Sequence, residues 1–469
     1  MKRRNFLQTS LVATGLAAAR HSRAAAGATP VRVAVNGLSA NAPEVRKYAT
    51  AVDLLRRLPG TDPRNWVNLA KVHNDFCPHA NWWFLPWHRA YLYYFELTCQ
   101  DVLADPTFRL PYWDWTSYPR IPGPFLNQSS SLWDGTRDSG GNIEIPTEVV
   151  GAPVIQNIAG SSNWIDLFSG ATLNDQQRSP RASGVLEATP HNGVHGIVGG
   201  DMGNYMSPLD PIFWLHHCNV DRIWASWARI PNHSGPPDTL WQNHKLAQFY
   251  DPVAKKQITP AAGTTTDPTK YNAVYDHYVT VAAPGPALTT SIRRMLSAQL
   301  ADSAPQTIRR LSIEAAPKTS GGSVAAFAAS MNADFSSTIQ KAIQPTADNF
   351  RTANVSLVMQ DIERPSSPSV ALRVFLNCKD PSLNTPLDDP TYVGTLAFFG
   401  GDHGEDHGAG TTYSLDVSRT LARTIRAGIY TPQTPIDVSL VPVDLRNPKV
   451  APPDGVVKPN KVQLIGLAV

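Results

Sequence analysis

The sequence has few cysteines, little net charge and no long apolar run. Its four cysteines in 469 residues, Cys77, Cys99, Cys218 and Cys378, form no CxxC pair, which argues against a disulfide-stapled scaffold. The net charge is only +3, so we expect no nucleic-acid partner and no acidic membrane partner. No segment is long and apolar enough to predict a membrane span.

The composition is otherwise that of an ordinary globular protein, with 42% hydrophobic and 17% charged residues. A chain of this length can bury a sizeable core and form two or three domains. Its 13 histidines are unevenly placed, and several of the 12 tryptophans lie beside them. This placement of the histidines is the main indication of function in the sequence.

The N-terminus predicts an export signal over residues 1–26. A basic start that includes Arg3 and Arg4 precedes a mildly apolar stretch and a run of small residues from Ala24 to Ala26. The arginine pair followed by x-Phe-Leu resembles a bacterial twin-arginine (Tat) signal. The sequence therefore predicts an exported protein, periplasmic or secreted, with the Tat machinery as a partner.

The periodicity predicts a mainly α protein with a small β domain at its C-terminal end. Apolar positions at helical spacing predict helices over residues 44–58, 87–103, 189–198 and 209–229, joined by long loops. Alternating residues predict strands over 355–359, 370–376 and 436–443. We expect a helical-bundle core over 30–280, a linker over 281–345 and a small β-sandwich domain over 346–469.

Six histidines fall into two sets of three. The first set is His73, His79 and His88, and the second is His191, His195 and His217. His191 and His195 are four residues apart, so on a helix they share a face and can bind one metal together. Imidazole suits copper, zinc, iron and nickel, and a ligand set without carboxylates argues against a di-iron bundle. A zinc hydrolase stays open at this point.

The two histidine stretches resemble the copper signatures of tyrosinases, catechol oxidases and molluscan haemocyanins. The resemblance rests on His79–Glu96 and Asp210–Asp221, together with Leu110-Pro-Tyr-Trp-Asp-Trp115, and it covers about residues 30–280. It implies two copper ions, one held by each histidine set, and dioxygen and small phenols as substrates. The implied activity is oxidation of phenols and o-diphenols to o-quinones, which includes hydroxylation of monophenols.

The same resemblance assigns roles to further residues. It implies a thioether bond between Cys77 and the His79 ring, and it places Phe213 over the copper pair and His216 just behind the ligands. Asp221 lies one turn beyond His217, where it could anchor the helix or orient a ligand. Glu187 and Asn192 stand where the family holds a water that accepts the phenol proton.

The C-terminal region resembles, loosely, the shielding domain of plant polyphenol oxidases. That likeness implies a latent enzyme, with Phe398 or Phe399 as the residue that blocks the site. Two further functions stay open: a catechol or o-aminophenol oxidase without monophenolase activity, and an oxygen carrier like haemocyanin. Oligomeric state and natural substrate are not predicted.

Overall fold

The computed structural model describes residues 30–159, 161, 167–168, 183–231, 233, 235–236, 238–280, 287–288, 309–319, 323–344, 350–400, 410–452 and 457–468. The predicted export signal over 1–26 lies outside this part of the chain. Residues 31–469 form one compact unit.

The N-terminal half of this unit is helical. Its helices are α1 (Pro43–Arg57), α2 (Trp66–Phe76), α3 (Phe84–Leu103), α4 (Thr147–Val150), α5 (Ala152–Ala159), α6 (Asn192–Val198), α7 (Ile212–Ala228) and α8 (Thr239–Asn243). A short hairpin of β1 (Phe249–Asp251) and β2 (Lys256–Ile258) follows. In α7 every residue but the last is buried, so this helix is the centre of the core.

The turn before α6 is a π-helical turn, Glu187–His191, in which the N–H of Asn192 donates to the carbonyl of Glu187. Pro190 lies inside it. Proline has no N–H to give to the helical ladder, and a wider turn of this kind accommodates the interruption. The predicted helix over 189–198 therefore begins four residues earlier, at Val185, and is not regular α-helix throughout.

A buried network of charges joins α3 to α7. Arg89 of α3 donates from Nε to Asp221 Oδ1 of α7 at 2.6 Å, and its guanidinium stacks on the Trp224 ring. Arg32, near the start of the described chain, is fully buried and pairs with Glu96 at 3.1 Å and with Asp221 at 3.5 Å. Buried charges are tolerated only when paired in this way, so the network fixes the two helices relative to each other.

The C-terminal half is built on one eight-stranded sheet. Its strands are β4 (Arg309–Lys318), β5 (Ala325–Ala329), β7 (Ala353–Ile362), β8 (Val370–Leu376), β9 (Tyr392–Ala397), β10 (Thr411–Asp416), β11 (Ile436–Asp444) and β12 (Lys461–Ala468), in the order β10-β7-β12-β4-β5-β11-β8-β9. β3 (Ala287–Leu288) and β6 (Phe350–Arg351) form a separate pair. Helices α9 (Ala333–Ile343) and α10 (Ser418–Arg426) complete this half.

This sheet curls back on itself. The hydroxyl of Tyr413, on the first strand of the order, donates to the carbonyl of Ala397, on the last strand, at 2.9 Å. β4 supports the curl by pairing with β12 through residues 309–314 and with β5 through residues 315–318. The two edge strands β9 and β10 therefore meet, and both lie next to the helical core.

The predicted fold class, a helical core with a C-terminal β domain, is confirmed. The predicted linker over 281–345 differs from the structure, since β4, β5 and α9 lie within it and two of them belong to the sheet. These strands are rich in Ala, Ser and Arg, so their apolar alternation is weak. Within the described residues, no helix has the length and apolarity to cross a bilayer.

Candidate metal centre

The first histidine set lies where α2, a short loop and α3 meet. His73 is in the last turns of α2, His79 is in the loop, and His88 is on α3. All three are buried, and their ring centroids lie 5.3 to 5.7 Å apart. His73 Nδ1 lies 2.7 Å from the Tyr205 carbonyl, and His88 Nδ1 lies 2.8 Å from the Phe84 carbonyl. A carbonyl only accepts, so Nδ1 carries the proton in both rings and Nε2 has the lone pair that can bind a metal.

The second set lies on the π-helical turn, α6 and α7. His195 Nδ1 lies 2.6 Å from the Met202 carbonyl, and His191 Nδ1 lies 2.8 Å from Asn192 Oδ1. These contacts again leave each Nε2 free to bind a metal. His195 Nε2 lies 3.3 Å from His217 Nε2, while His191 Nε2 is buried and has no hydrogen-bond partner within the described chain. Converging imidazole nitrogens of this kind fit a metal ion.

The two histidine sets lie next to each other. The rings of His88 and His217, one from each set, stack with centroids 4.1 Å apart and planes 10° apart. His79 and His191 stack at 5.5 Å. One ligand atom from each residue of His73, Cys77, His79 and His88 lies within 4.8 Å of the others, and the same holds for His191, His195, His216 and His217. The arrangement therefore has room for two metal ions side by side.

Burial keeps five of these histidines neutral. It lowers the pKa of His88 to about 3, despite a hydrogen bond to Phe84 that acts in the opposite direction. It lowers the pKa of His195 to about 3 as well, and the pKa values of His191, His216 and His217 fall well below the ordinary value for the same reason. Only neutral imidazole binds a metal. At neutral pH the site is thus ready for ions that prefer nitrogen ligands, and copper is one of them.

Cys77 caps α2 and faces the first set. Its sulfur lies 3.3 Å from His79 Nδ1 and 3.7 Å from His79 Nε2. The ring carbon between those two nitrogens is Cε1, so this edge of the ring faces the sulfur. All four cysteines are free of disulfides.

Glu187 and Asn192 lie beside both sets. Glu187 Oε1 accepts the N–H of Ala80 at 2.6 Å, and Oε2 is buried with no hydrogen-bond partner among the described residues. Burial raises the pKa of Glu187 to about 8, although the Ala80 N–H and the Ser183 side chain act against the increase. Asn192 binds His191 through Oδ1 and donates from Nδ2 to the Ala397 carbonyl at 3.0 Å.

Three other predicted site residues have different surroundings. The Phe213 ring packs against His217 at 4.2 Å and His73 at 5.1 Å, between the two sets. His216 Nδ1 accepts the indole N–H of Trp115 at 3.2 Å, and its ring stacks on His191. Asp221 contacts Arg89, Arg32 and Tyr275, so of the two roles considered for it the structure favours anchoring the helix.

The C-terminal sheet covers the site. The Phe399 ring lies 4.4 Å from His79, 4.5 Å from His195 and 5.4 Å from His191, measured between ring centroids. Phe398 faces away and packs on Tyr413 within the core of the β half. Of the two candidate blocking residues, Phe399 is therefore the one that reaches the histidines.

One positioning segment was not found from the sequence. The loop between α6 and α7 supplies the carbonyls of Met202 and Tyr205, which hold one histidine from each set. Every residue has a backbone carbonyl, so the sequence does not indicate which carbonyls bind a histidine. The glycine pair Gly199-Gly200, with φ of +65° and +56°, was the available signal, since such angles mark a special backbone path.

Comparison with known proteins matches the helical core. A family model described as the common central domain of tyrosinase matches residues 60–158 and 136–230. The chain is 32% identical over 249 residues to a chloroplastic polyphenol oxidase of Vitis vinifera, a match that covers 44% of this chain and 41% of the relative. It is 33% identical over 254 residues to a latent form of polyphenol oxidase from Prunus armeniaca, covering 45% and 42%.

The chain thus spans about two fifths of the length of these curated relatives. A structure of latent apple tyrosinase superposes with a TM-score of 0.70 over 95% of this chain and 98% of that one, at 22% identity, which shows a shared fold. Both halves of the molecule are included in that likeness. The matched central domain, over residues 60–230, and the paired histidine sets place the helical core of this chain with the tyrosinases and catechol oxidases, a family whose centre holds two copper ions.

Proposed function

We propose that this protein uses dioxygen to oxidise o-diphenols to o-quinones, and that it also hydroxylates monophenols. The observation that carries the proposal is the pair of buried, histidine-rich clusters that lie next to each other within a tyrosinase domain. Copper bound there would supply the transfer of electrons between the phenol and dioxygen. His73, His79 and His88 would hold one ion, and His191, His195 and His217 the other.

The remaining residues would orient the substrate and exclude water. Phe399 shows where an aromatic ring fits, against His79 and His195, and a phenol would take its place. The buried Oε2 of Glu187 would accept the phenol proton, directly or through a water held with Asn192. A buried base of this kind would determine whether monophenols react. It would not determine whether electrons are transferred.

The central test is oxygen consumption by the copper-loaded chain, measured with catechol before and after limited proteolysis. We expect uptake of dioxygen and formation of o-quinone, together with a strong near-ultraviolet band when hydrogen peroxide is added. Zinc in the purified protein, or copper with neither turnover nor band, would contradict the proposal. A band without catechol turnover would favour an oxygen carrier.

The role of Glu187 predicts a loss specific to monophenols. We expect Glu187→Gln to lower the ratio of tyramine hydroxylation to catechol oxidation by roughly 10², because glutamine cannot accept the proton. In the parent protein the hydroxylation rate should rise with pH as Glu187 loses its proton. Burial places its pKa at about 8, and nearby copper ions would lower that value.

The measurement is the initial rate on both substrates between pH 5 and 9. In Glu187→Gln the rising limb for tyramine should be absent. An unchanged ratio and an unchanged pH profile would show that Glu187 is not the base, and would favour an oxidase without monophenolase activity in the parent protein.

We further propose that the C-terminal half keeps the enzyme latent. Its edge strand β9 lies along the π-helical turn and the start of α6, where Thr189 and Asn192 donate to the carbonyls of Thr395 and Ala397. A buried ion pair reinforces this contact, since Arg373 of β8 binds Glu148 of α4 through two hydrogen bonds of 2.7 and 2.8 Å. Latent forms among the relatives support the proposal.

Latency predicts different effects for two neighbouring phenylalanines. We expect Phe399→Ala to raise the catechol oxidation rate of the uncleaved chain by about 10-fold or more, because it opens the space over the histidines. Phe398→Leu is the matched control, since Phe398 packs on Tyr413 and not on the site. Equal rates for parent, Phe399→Ala and Phe398→Leu, with no rise in any of them after trypsin treatment, would contradict the proposal.

We also propose a thioether bond between Cys77 Sγ and His79 Cε1. The sulfur already faces that edge of the ring. Forming the bond removes one hydrogen from sulfur and one from carbon, and these two protons and two electrons would reduce one dioxygen molecule to hydrogen peroxide. Copper held by the first histidine set would supply the electron transfer. The bond would hold the His79 ring in a fixed orientation.

Mass spectrometry tests this bond. After copper loading in air, the peptide that contains Cys77 and His79 should lack two hydrogen atoms, and its thiol should resist alkylation after denaturation. Cys77→Ser should show neither change. An alkylatable Cys77 in the copper-loaded parent protein would contradict the bond.

We also propose that this protein is exported. The arginine pair and the small residues over 1–26 support recognition by the Tat machinery, which carries folded proteins and would suit a chain that binds metal before export.

A further inference from the structure

We propose that Glu187 has a second function, as a positioning residue: its Oε1 atom holds the loop that carries Cys77 and His79 against the element that carries the second histidine set. The inference adds to the proposed function, because it assigns the two oxygens of one carboxylate to different tasks. Oε1 fixes the geometry of the first copper site, and Oε2 handles the proton.

The loop needs such a contact at its centre. Ala80 directly follows His79 and has a φ of +49°, a left-handed conformation that is unfavourable for any residue with a Cβ. The Ala80 N–H is donated to Glu187 Oε1 at 2.6 Å, and both residues are buried. A short hydrogen bond to a buried carboxyl oxygen is strong enough to stabilise an unfavourable backbone angle.

Other contacts hold the two ends of this loop. At its start the Cys77 N–H is donated to the His73 carbonyl. At its end the Trp83 N–H is donated to Asn81 Oδ1, and the Trp241 indole N–H to the Trp82 carbonyl. The contact from Glu187 lies between these ends, one residue from His79. It therefore fixes the backbone that orients the His79 ring.

Glu187 also connects the two metal sites. It opens the π-helical turn whose last residue is His191, four positions along the chain. A displacement of this turn would therefore move His191 and the His79 loop together. The stacking of the His79 and His191 rings, with planes 29° apart, is consistent with such a coupling.

Two substitutions separate the two tasks. Glu187→Gln keeps an oxygen at the same reach, so it can still accept the Ala80 N–H, but it can no longer accept a proton. Glu187→Asp keeps the acid but shortens the side chain by one methylene, which withdraws the oxygen from Ala80. Thr189→Ala is the matched control, because Thr189 lies on the same turn and hydrogen-bonds to Thr395 instead of the loop.

The measurement is the rate at which the copper-loaded full-length chain loses copper to a chelator. We expect Glu187→Asp to release the copper of the first site about 10-fold faster or more, as is typical when a residue that orients a ligand is lost. Glu187→Gln and Thr189→Ala should release it at close to the parent rate. Adding Ala80→Gly to Glu187→Asp should recover part of the loss, since glycine adopts a positive φ without strain.

Equal release rates for Glu187→Asp and Thr189→Ala, or faster release from Glu187→Gln than from Glu187→Asp, would overturn the proposal. Should Glu187→Asp alone fail to fold, the same comparison is made in the Ala80→Gly background. There Glu187→Asp must still release copper faster than Glu187→Gln, and equal rates would overturn the proposal. The readout needs no turnover, so a chain that holds copper but oxidises no phenol would contradict the proposed function and leave this test intact.

Discussion

The metal centre depends on the buried charge network that joins α3 to α7. Arg89 follows His88 directly, and Asp221 lies one turn after His217, so the ion pair between them fixes the backbone beside one ligand of each site. The result is the close stacking of His88 and His217 at 4.1 Å. Removing one partner of such a buried pair costs about 3–5 kcal/mol, because the other charge is left without a partner in a medium of low polarity. The network therefore fixes both the stability of the core and the spacing of the two sites.

Burial has a second consequence, which is the chemistry of the side chains in the centre. The same lack of water keeps the histidines neutral and holds the pKa of Glu187 high. Part of this burial comes from the C-terminal half, since Phe399 and the Ala397 carbonyl contact residues of the centre directly. The C-terminal half thus also affects the protonation of the groups that it contacts.

The sequence predicted the parts of this arrangement that depend on spacing along the chain. His191 and His195 share one helical face, and α3 and β8 have apolar patterns that place them within a few residues. It did not predict α2, whose 11 residues mix apolar and polar positions, or β4 and β5, whose small side chains give a weak alternation. Contacts between residues far apart in the sequence were not predicted either. Glu187 and Ala80 are 107 positions apart, and Arg373 and Glu148 are 225 apart, so only the folded chain brings them together.

The position of Asn192 connects the proposed latency with the proposed catalytic role of this residue. Its Oδ1 contacts His191 of the second histidine set, while its Nδ2 donates to the Ala397 carbonyl of β9. When β9 is displaced, Nδ2 loses that acceptor at the moment when Phe399 leaves the space over the histidines. A buried amide N–H without a partner is costly, so a water molecule or a substrate oxygen would replace the carbonyl. Glu187 lies beside the same histidines, and its Oε2 atom lacks a hydrogen-bond partner within the described chain. If the proposed latency holds, displacing β9 would therefore do more than admit a phenol: it would free the amide that we propose holds, with Glu187, the water that accepts the phenol proton.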